Sequence, residues 1–218
     1  MKKSVKPILA IETSGDLCSS AVFFDEDNFI EINIQAKHIH SEKLAIMIDQ
    51  LLKNAKISAG DIGCVAISEG PGSFTGLRIG FAVGKGFAFG SSLPVISVPT
   101  FKALAYQISQ TMNIGVNFII ANKVNVNELY FQKFQSTFNG LEELSELQII
   151  ESENLYSRIN SDDIVFGNNE YVPSKGITSP NALFVAKWSY FFGNDLLSYD
   201  YDLLEPNYIK NFIAREKK

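Results

Sequence analysis

The sequence predicts an α/β fold made of two halves, because two separate stretches each begin with β-strands. The first stretch contains three short β-rich runs joined by the turn sequences "SGD" and "EDN", typical of neighbouring antiparallel strands. These runs are Ile8–Thr13, Cys18–Asp25 and Phe29–Lys37. A second set of strands starts at Ile114, which indicates a structural duplication without a visible sequence repeat. We expect an N-terminal domain over 1–110 and a C-terminal domain over 111–218.

Helices and strands alternate after the first three runs. The spacing of apolar residues predicts a helix over Ser41–Ala55, with an apolar surface that includes Leu44, Met47, Ile48 and Leu51. The further elements expected in this half are a buried strand at Cys64–Ser68, a glycine-containing helix, a strand at Val95–Val98 and a helix at Phe101–Ser109.

The second half is expected to hold strands within "IGVNFIIANK", "ELYFQKFQST" and "LQIIE". The remaining predicted elements are a helix at Ser152–Ile159, a strand at Ile164–Gly167 and a helix at Pro180–Phe192. The tail "YDLLEPNYIKNFIAREKK" is mixed in character and ends in basic residues, so we expect it to be exposed.

Composition narrows the class of protein. The 218 residues carry a net charge of −5 and have a pI of about 5.1, which argues against a broad basic surface for nucleic acid. The two cysteines, Cys18 and Cys64, have no metal-like spacing and are too few for a disulfide framework. The apolar run near the start ends at Glu12, too early for a signal peptide. We expect a soluble cytoplasmic protein that does not enter a membrane.

The stretch "GPGSFTGLRIGFAVGKGFAFG" resembles a phosphate-binding loop at first sight. A Walker loop requires G-x-x-x-x-G-K-[ST], but here Gly70 and Gly76 are too far apart and Leu77 stands in place of the lysine. The dinucleotide pattern G-x-G-x-x-G and the nucleophile elbow G-x-S-x-G are absent as well. The glycines therefore need another explanation.

Helical spacing supplies that explanation. Gly76, Gly80 and Gly84 are four residues apart, so they form a bare stripe on a helix predicted over Phe74–Phe89, with Ser73 as its N-cap. Each interior glycine costs roughly 0.5–1 kcal/mol relative to alanine, so close packing against another element must compensate. That element is either the protein's own sheet or a partner protein.

The rest of this helix favours the partner. Its charged residues, Arg78 and Lys85, are seven residues apart on one narrow strip, and nearly all other positions are apolar. A surface helix normally keeps a broad polar face. With only 16 residues and two basic groups, the helix is a poor membrane span.

Three strings together resemble the bacterial TsaB (YeaZ) family: "ILAIETS", "AISEGPGSFTGLRIG" and "EPNYIKNF". The resemblance is strong over residues 7–106 and thinner afterwards. It implies a duplicated RNase H-like (actin-like, ASKHA) fold, with two α/β halves that each contain a mixed sheet flanked by helices.

The resemblance also implies a function. The chain is expected to be a non-catalytic scaffold that binds and activates a TsaD-type enzyme, which makes threonylcarbamoyladenosine (t6A) in tRNA. A TsaE-type ATPase completes the machinery, and tRNA is met only through the complex. A homodimer is an alternative state of the chain when it is alone, and a self-associating structural protein, in which the same helices form a homodimer with no other partner, is a further rival function. No cofactor is expected. The implied partner surface lies on the helices at 41–55 and 74–89, with these expected interface or supporting residues: Leu44, Met47, Ile48, Leu51, Ser73, Phe74, Leu77, Arg78, Phe81 and Lys85.

Departures from the catalytic relatives support this interpretation. The resemblance implies that the catalytic relatives carry a metal-binding pair of histidines, H-x-x-x-H. Thr100 and Leu104 stand at the matching positions here, and neither side chain can hold a metal in that way. The histidines present, His38 and His40, are expected in a solvated loop. The run Ala121-Asn122-Lys123 replaces the Asp-Ala-Arg run usual in TsaB sequences.

A nucleotide site is the main alternative. Glu12, Thr13 and Ser14 resemble the first phosphate loop of the superfamily, so an actin-like ATP-dependent kinase or phosphotransferase using Glu12 and Thr13 is the rival function. However, no glycine lies between Gly115 and Gly140, where a second phosphate hairpin would need one. We therefore expect a vestigial loop. Arg78 has no assigned partner, with Glu12, Glu69 and a partner protein as candidates.

Overall fold

The computed structural model of the protein describes residues 6–36, 38–138 and 140–209. The elements of the first half follow the predicted order and differ from the predicted bounds by at most two residues. They are β1 (Ile8–Glu12), β2 (Leu17–Phe23), β3 (Phe29–Gln35), α1 (His40–Ala55), β4 (Cys64–Gly70), α2 (Phe74–Gly90), β5 (Val95–Pro99) and α3 (Thr100–Ser109). Within the described ranges, no helix is long and apolar enough to cross a membrane.

The first sheet has the strand order β3-β2-β1-β4-β5. The first three strands are antiparallel, as the short turns predicted, and β4 and β5 join in parallel through helical crossovers. Side chains alternate along β1, so that Ile8 and Ala10 face one side of the sheet while Leu9 and Ile11 face the other.

The second sheet repeats this arrangement. Its elements are β6 (Asn117–Lys123), β7 (Glu128–Thr137), β8 (Gly140–Glu143), β9 (Gln148–Glu151) and β10 (Ile164–Phe166). The order β10-β6-β7-β8 matches β4-β1-β2-β3, with one parallel pairing followed by antiparallel ones. Both β8 and β9 pair with the same edge of β7. The expected duplication is therefore visible in the strand pairing.

Helices cover both faces of the first sheet. Helices α1 and α2 pack on one face, and α4 (Ala182–Phe192) packs on the other through Val185 and Trp188. Helix α3 fills the space between the two sheets, because Ala103 belongs to the first core while Leu104 and Ile108 belong to the second. Helix α4 thus comes from the second segment of the chain but packs on the first sheet, and the division at residue 110 stays a prediction.

Two predictions for the second half are wrong. The expected helix Ser152–Ile159 consists of two short 3-10 turns, Ser152–Asn154 and Tyr156–Arg158. The Ser157 hydroxyl donates to the Asn154 carbonyl oxygen at 2.8 Å, and such local bonds compete with a regular helix. Strand β8 was not predicted, because the sequence Gly140–Glu143 is short and mostly acidic.

The stripe of glycines on α2 faces the protein's own sheet. A Cβ atom at Gly76 would overlap the Thr13 carbonyl oxygen, one at Gly80 would overlap the Thr13 hydroxyl, and one at Gly84 would overlap Ile67. Of the two elements considered for this close approach, the protein's own sheet is the one found, at the end of β1 and at β4. Ser73 caps the helix as predicted, accepting from the Gly76 amide at 3.2 Å.

We predict opposite effects for alanine at two glycines of α2. Gly76→Ala should lower the free energy of unfolding by about 1–3 kcal/mol, because the new methyl group meets a main-chain oxygen. Gly86→Ala should raise it by about 0.5–1 kcal/mol, because that position has no neighbour within 4 Å and alanine is the better helix former. Urea unfolding of both variants measures the difference, and equal effects would contradict the packing described.

Candidate functional site

The surface of α2 divides into three stripes along the helix. The inward stripe holds the glycines just described. A second stripe is contacted by residues Tyr201–Tyr208, which we call the strap. The third stripe faces outward and consists of small residues, which are Thr75, Ala82, Gly86 and Gly90.

The strap crosses α2 from one end to the other. The Tyr201 hydroxyl donates to the Leu93 carbonyl oxygen at 2.7 Å, and the Asn207 amide donates to the Glu69 carbonyl oxygen at 2.7 Å. As expected, the described part of the tail is exposed or half-buried, but it is not free, because its polar groups bond to β4, α2 and the loop after α2. Residues 210–218, which include the basic end, lie outside the described residues.

The strap also provides the partner of Arg78. The Arg78 Nε atom donates to the Tyr208 hydroxyl at 3.0 Å, and the guanidinium carbon lies 3.8 Å from the centre of the Phe74 ring. Neither carboxylate that the sequence suggested, Glu12 or Glu69, makes this contact within the described residues. A second basic group, Lys85, donates from Nζ to the Leu204 carbonyl oxygen at 2.9 Å.

The outward stripe is bare among the residues described. A Cβ atom added at Gly86 or Gly90 would meet nothing within 4 Å. Ile79 and Val83 are half-buried beside it, and on neighbouring α1 the Ile46 side chain is 49% exposed. Because the side chains are small and apolar, another helix could approach this surface closely.

Six of the ten predicted interface residues lie in the core instead. They are Leu44, Met47, Ile48, Leu51, Leu77 and Phe81, each at most 4% exposed and packed between the helices and the first sheet. Their apolar character was attributed to a partner, but the sheet accounts for it. They hold the helices in place and cannot contact another protein directly in this conformation. Ser73 and Arg78 are exposed, and Phe74 and Lys85 are half-buried.

The residues of the predicted phosphate loop are occupied by contacts within the chain. The Thr13 hydroxyl donates to the Gly76 carbonyl oxygen at 2.8 Å, and the Ser14 carbonyl oxygen accepts from the Ser73 amide at 2.7 Å. Glu12 and Thr13 are fully buried, whereas Ser14 lies at the edge of a cleft. These bonds fasten the turn after β1 to the start of α2.

Burial changes the titration of Glu12. The loss of water around this carboxyl raises its pKa from 4.5 to about 7, although hydrogen bonds from Ser14 and Ser68 lower it in part. The Ser14 amide lies 2.5 Å from one carboxyl oxygen, and the Ser68 hydroxyl bonds to the other.

A cleft of about 800 Å³ lies between the two halves beside the N-terminus of α2. Its walls include Ser14, Gly72, Phe74, Asn122, Asn125, Tyr130, Asn168, Thr178, Asn207 and Tyr208. The lining thus includes amide and aromatic side chains, and the end of the strap forms part of the wall.

Two residues of the run at 121–123, Asn122 and Lys123, line the cleft. Ala121 is buried, and Asn122 donates from Nδ2 to the Thr178 carbonyl oxygen at 2.6 Å. Lys123 forms a salt bridge to Glu170 at 3.0 Å.

The positions that correspond to a metal pair have structural contacts. The Thr100 hydroxyl accepts from the Gly70 amide at 3.0 Å, and Leu104 lies in the core between the sheets. His40 is not solvated as expected: it is the first residue of α1, is buried, and places Nε2 3.3 Å from the Leu17 carbonyl oxygen. His38 is exposed. No group of three metal-ligating side chains occurs in the described parts of the chain.

The cysteines are poor nucleophiles in this structure. Burial raises the pKa of Cys18 to about 11 and that of Cys64 to about 12, so both thiols stay protonated near neutral pH.

Comparison with known proteins gives a consistent result. The tRNA threonylcarbamoyladenosine biosynthesis protein TsaB of Haemophilus influenzae is 28% identical, over 96% of this chain and 96% of the relative. The TsaB protein of Escherichia coli is 32% identical over 62% of this chain and 57% of the relative. The solved structure of YeaZ from Pseudomonas aeruginosa superimposes with a TM-score of 0.76 at 22% identity, covering 93% of this chain and 99% of that one.

The chain is thus similar to TsaB proteins along nearly its whole length. A family model described as TsaD, tRNA N6-adenosine threonylcarbamoyltransferase, matches residues 33–118. The fold is the duplicated RNase H-like fold expected from the sequence.

We predict that Glu12 makes the stability of this protein fall as the pH rises. The folded chain keeps the Glu12 proton up to about pH 7, whereas the unfolded chain releases it near pH 4.5. The stabilising contribution is therefore complete below pH 4.5 and is lost as pH rises through 7, with a total change of about 3 kcal/mol. Glu12→Gln, which keeps the shape and both hydrogen bonds, should remove this part of the pH dependence.

Urea unfolding between pH 4.5 and 8 measures the difference between wild type and variant. The exposed Glu153→Gln serves as the matched control and should leave the profile unchanged. Parallel profiles for wild type and Glu12→Gln would show that Glu12 does not titrate in this range.

Proposed function

We propose that the chain is a non-catalytic scaffold in t6A biosynthesis, which binds a TsaD-type enzyme through the outer surface of α1 and α2. The observation that carries the proposal is the similarity to TsaB proteins over 96% of the chain, since those proteins are named for this pathway. A TsaE-type ATPase joins the larger complex, and tRNA is reached only through it. The cytoplasm is the compartment in which this work is done.

The position of the shared region supports the choice of partner. The match to the TsaD model spans residues 33–118 and so contains both α1 and α2. Related chains that pair through equivalent surfaces form a pseudo-twofold contact, as in a symmetric dimer. The same reasoning accounts for the expected homodimer, in which a second copy occupies the outward stripe when no enzyme is present.

The outward stripe has the properties that such a contact needs. Ala82 and Gly86 present little more than backbone, so a partner helix can come closer than long side chains would allow. Apolar groups at its borders, Ile46 and Val83, offer area to bury.

The positions that would hold a metal or phosphate in a catalytic relative make contacts within the chain here, which supports a non-catalytic role. The Thr100 hydroxyl is engaged by a main-chain amide, Leu104 is in the core, and Glu12 and Thr13 lie below the surface of the cleft. A kinase using Glu12 and Thr13 would need both groups to reach Mg-ATP. Equilibrium dialysis of the isolated chain should show no Mg-dependent ATP binding at micromolar concentration, and binding in that range would favour the kinase.

The first test of partner binding is light scattering on a size-exclusion column. The chain is run alone and then mixed with the TsaD-type enzyme of its own genome. We expect a 1:1 complex to replace any homodimer. An unchanged elution of both proteins at micromolar concentration would contradict the proposed function.

We predict that Gly86→Arg weakens this complex at least about tenfold, because a long charged side chain would be buried without a partner in the contact. The variant should fold normally, since the side chain points into open space. Val126→Arg, at a position 74% exposed in the second half, adds the same charge as a control and should leave the affinity unchanged. Titration calorimetry gives both dissociation constants, and equal values would place the contact elsewhere.

A further inference from the structure

Both charged side chains of α2 are held by the strap, and both bond to neutral groups. Arg78 donates to the phenol oxygen of Tyr208, and Lys85 donates to a main-chain oxygen of Leu204. Among the residues described, neither Arg78 nor Lys85 forms a salt bridge. The stripe of α2 beneath the strap is therefore basic, and within the described residues the strap's own carboxylates, Asp202 and Glu205, form no ion pair with it.

These contacts are weaker than the ones a carboxylate would make. Hydrogen bonds in which both groups are ionised are shorter and stronger than bonds to a neutral oxygen. Guanidinium groups in particular fit carboxylates with two parallel bonds, whereas the Tyr208 hydroxyl accepts one. A surface that offers carboxylates to Arg78 and Lys85 would compete well with the strap.

The strap itself is suited to exchange. It contains no helix or strand, and most of its side chains are exposed or half-buried, with Leu203 at 79% exposure. Its remaining hydrogen bonds to the rest of the chain lie at its two ends, where Tyr201 bonds to Leu93 and Asn207 bonds to Glu69 through both its main chain and its side chain. Tyr201 and Leu204 also pack against the core beneath α2. Two ring contacts join Phe74 to Tyr208 and Phe89 to Tyr201, with centres 4.9 and 5.6 Å apart.

We propose that the strap is an exchangeable cover over the basic stripe of α2, and that the partner protein displaces it with two carboxylates. Arg78 and Lys85 are seven residues apart on one helix, so these carboxylates are spaced by about 10 Å. The inference rests on the proposed function for the presence of the partner, and it adds that α2 offers its full surface only after the strap leaves.

Exchange has a measurable consequence. When only the uncovered form can bind fully, the apparent affinity is reduced by the fraction of molecules in that form. A variant with a weakened strap should therefore bind the partner more tightly than the wild type does. A strap that merely completes the fold would give the opposite result.

The experiment compares Tyr208→Ala, Tyr208→Phe and wild type in titrations with the TsaD-type enzyme of the same genome. Tyr208→Ala removes both the ring and the acceptor, and it should tighten binding by about three- to tenfold, the range expected for loss of such contacts. Tyr208→Phe keeps the ring and removes only the acceptor, so its affinity should fall between the other two. Thermal unfolding confirms that each variant is folded.

Charge is tested separately with the double variant Arg78→Gln and Lys85→Gln. It should bind more weakly than wild type, and its affinity should depend less on salt concentration, because two ion pairs with the partner are lost. A salt dependence equal to that of wild type would overturn the carboxylate part of the proposal.

Hydrogen exchange on the unmodified proteins gives a second, independent readout. The Asn207 amide, bonded to Glu69 in the free chain, should exchange faster in the complex. Stronger protection of 201–208 on binding would overturn the inference even if a variant failed to fold.

The outcomes separate this inference from the function on which it rests. If wild type and Tyr208→Ala bind equally, the strap is not a cover, while the scaffold function stands. If only Tyr208→Ala binds, both proposals are supported. If neither binds, both fail.

Discussion

A main-chain carbonyl oxygen, that of Thr13, occupies the space where a side chain at position 76 would begin. Only glycine permits this contact. One and two turns further along α2, Gly80 and Gly84 lie close to the side chains of Thr13 and Ile67, and a Cβ atom there would also overlap, though less severely. The helix can therefore lie almost directly on the end of β1. The Ser73 cap, the wall of the cleft and the stripe beneath the strap all take their positions from this contact.

The same contact also uses polar groups that would otherwise be available to a ligand. The hydroxyl of Thr13 and the carbonyl oxygen of Ser14 bond to α2, and Glu12 sits in the core with Ser68. Because the turn after β1 uses these polar groups to hold α2, few of them remain there to bind phosphate. The outer side of α2 carries small residues and forms a low, apolar surface. The proposed scaffold function depends on that surface.

Much of the fold could be read from local patterns in the sequence. Strands β1 to β3 have short β-rich sequences separated by turns, and α2 has the Ser73 cap and a fixed glycine period, so their places were predicted within two residues. The direction in which the glycines face could not be predicted. A helix that is apolar nearly all round looks the same from the sequence whether its own sheet or another protein covers it.

The misplaced residues share a physical cause, which is contact between segments far apart in the chain. Leu77 and Phe81 looked like interface residues because nothing in the local sequence announces the sheet beneath them. Tyr208 was missed as the partner of Arg78, because a bond across 130 residues leaves no local signal. The string "EPNYIKNF" carried part of the family resemblance, but nothing in its composition indicated that this stretch contacts α2.

The position of α4 determines when the first sheet is completed during synthesis. Helices α1 and α2, which are synthesised early, cover one face of the first sheet. The other face is covered only after Val185 and Trp188 of α4 have been synthesised. A nascent chain that has reached residue 110 has one side of its first sheet uncovered, with Ala10, Ala66 and Val98 exposed to water. The first sheet is therefore covered on both faces only after α4 has been synthesised. A chain interrupted between residue 110 and α4 would expose an apolar face to chaperones and proteases.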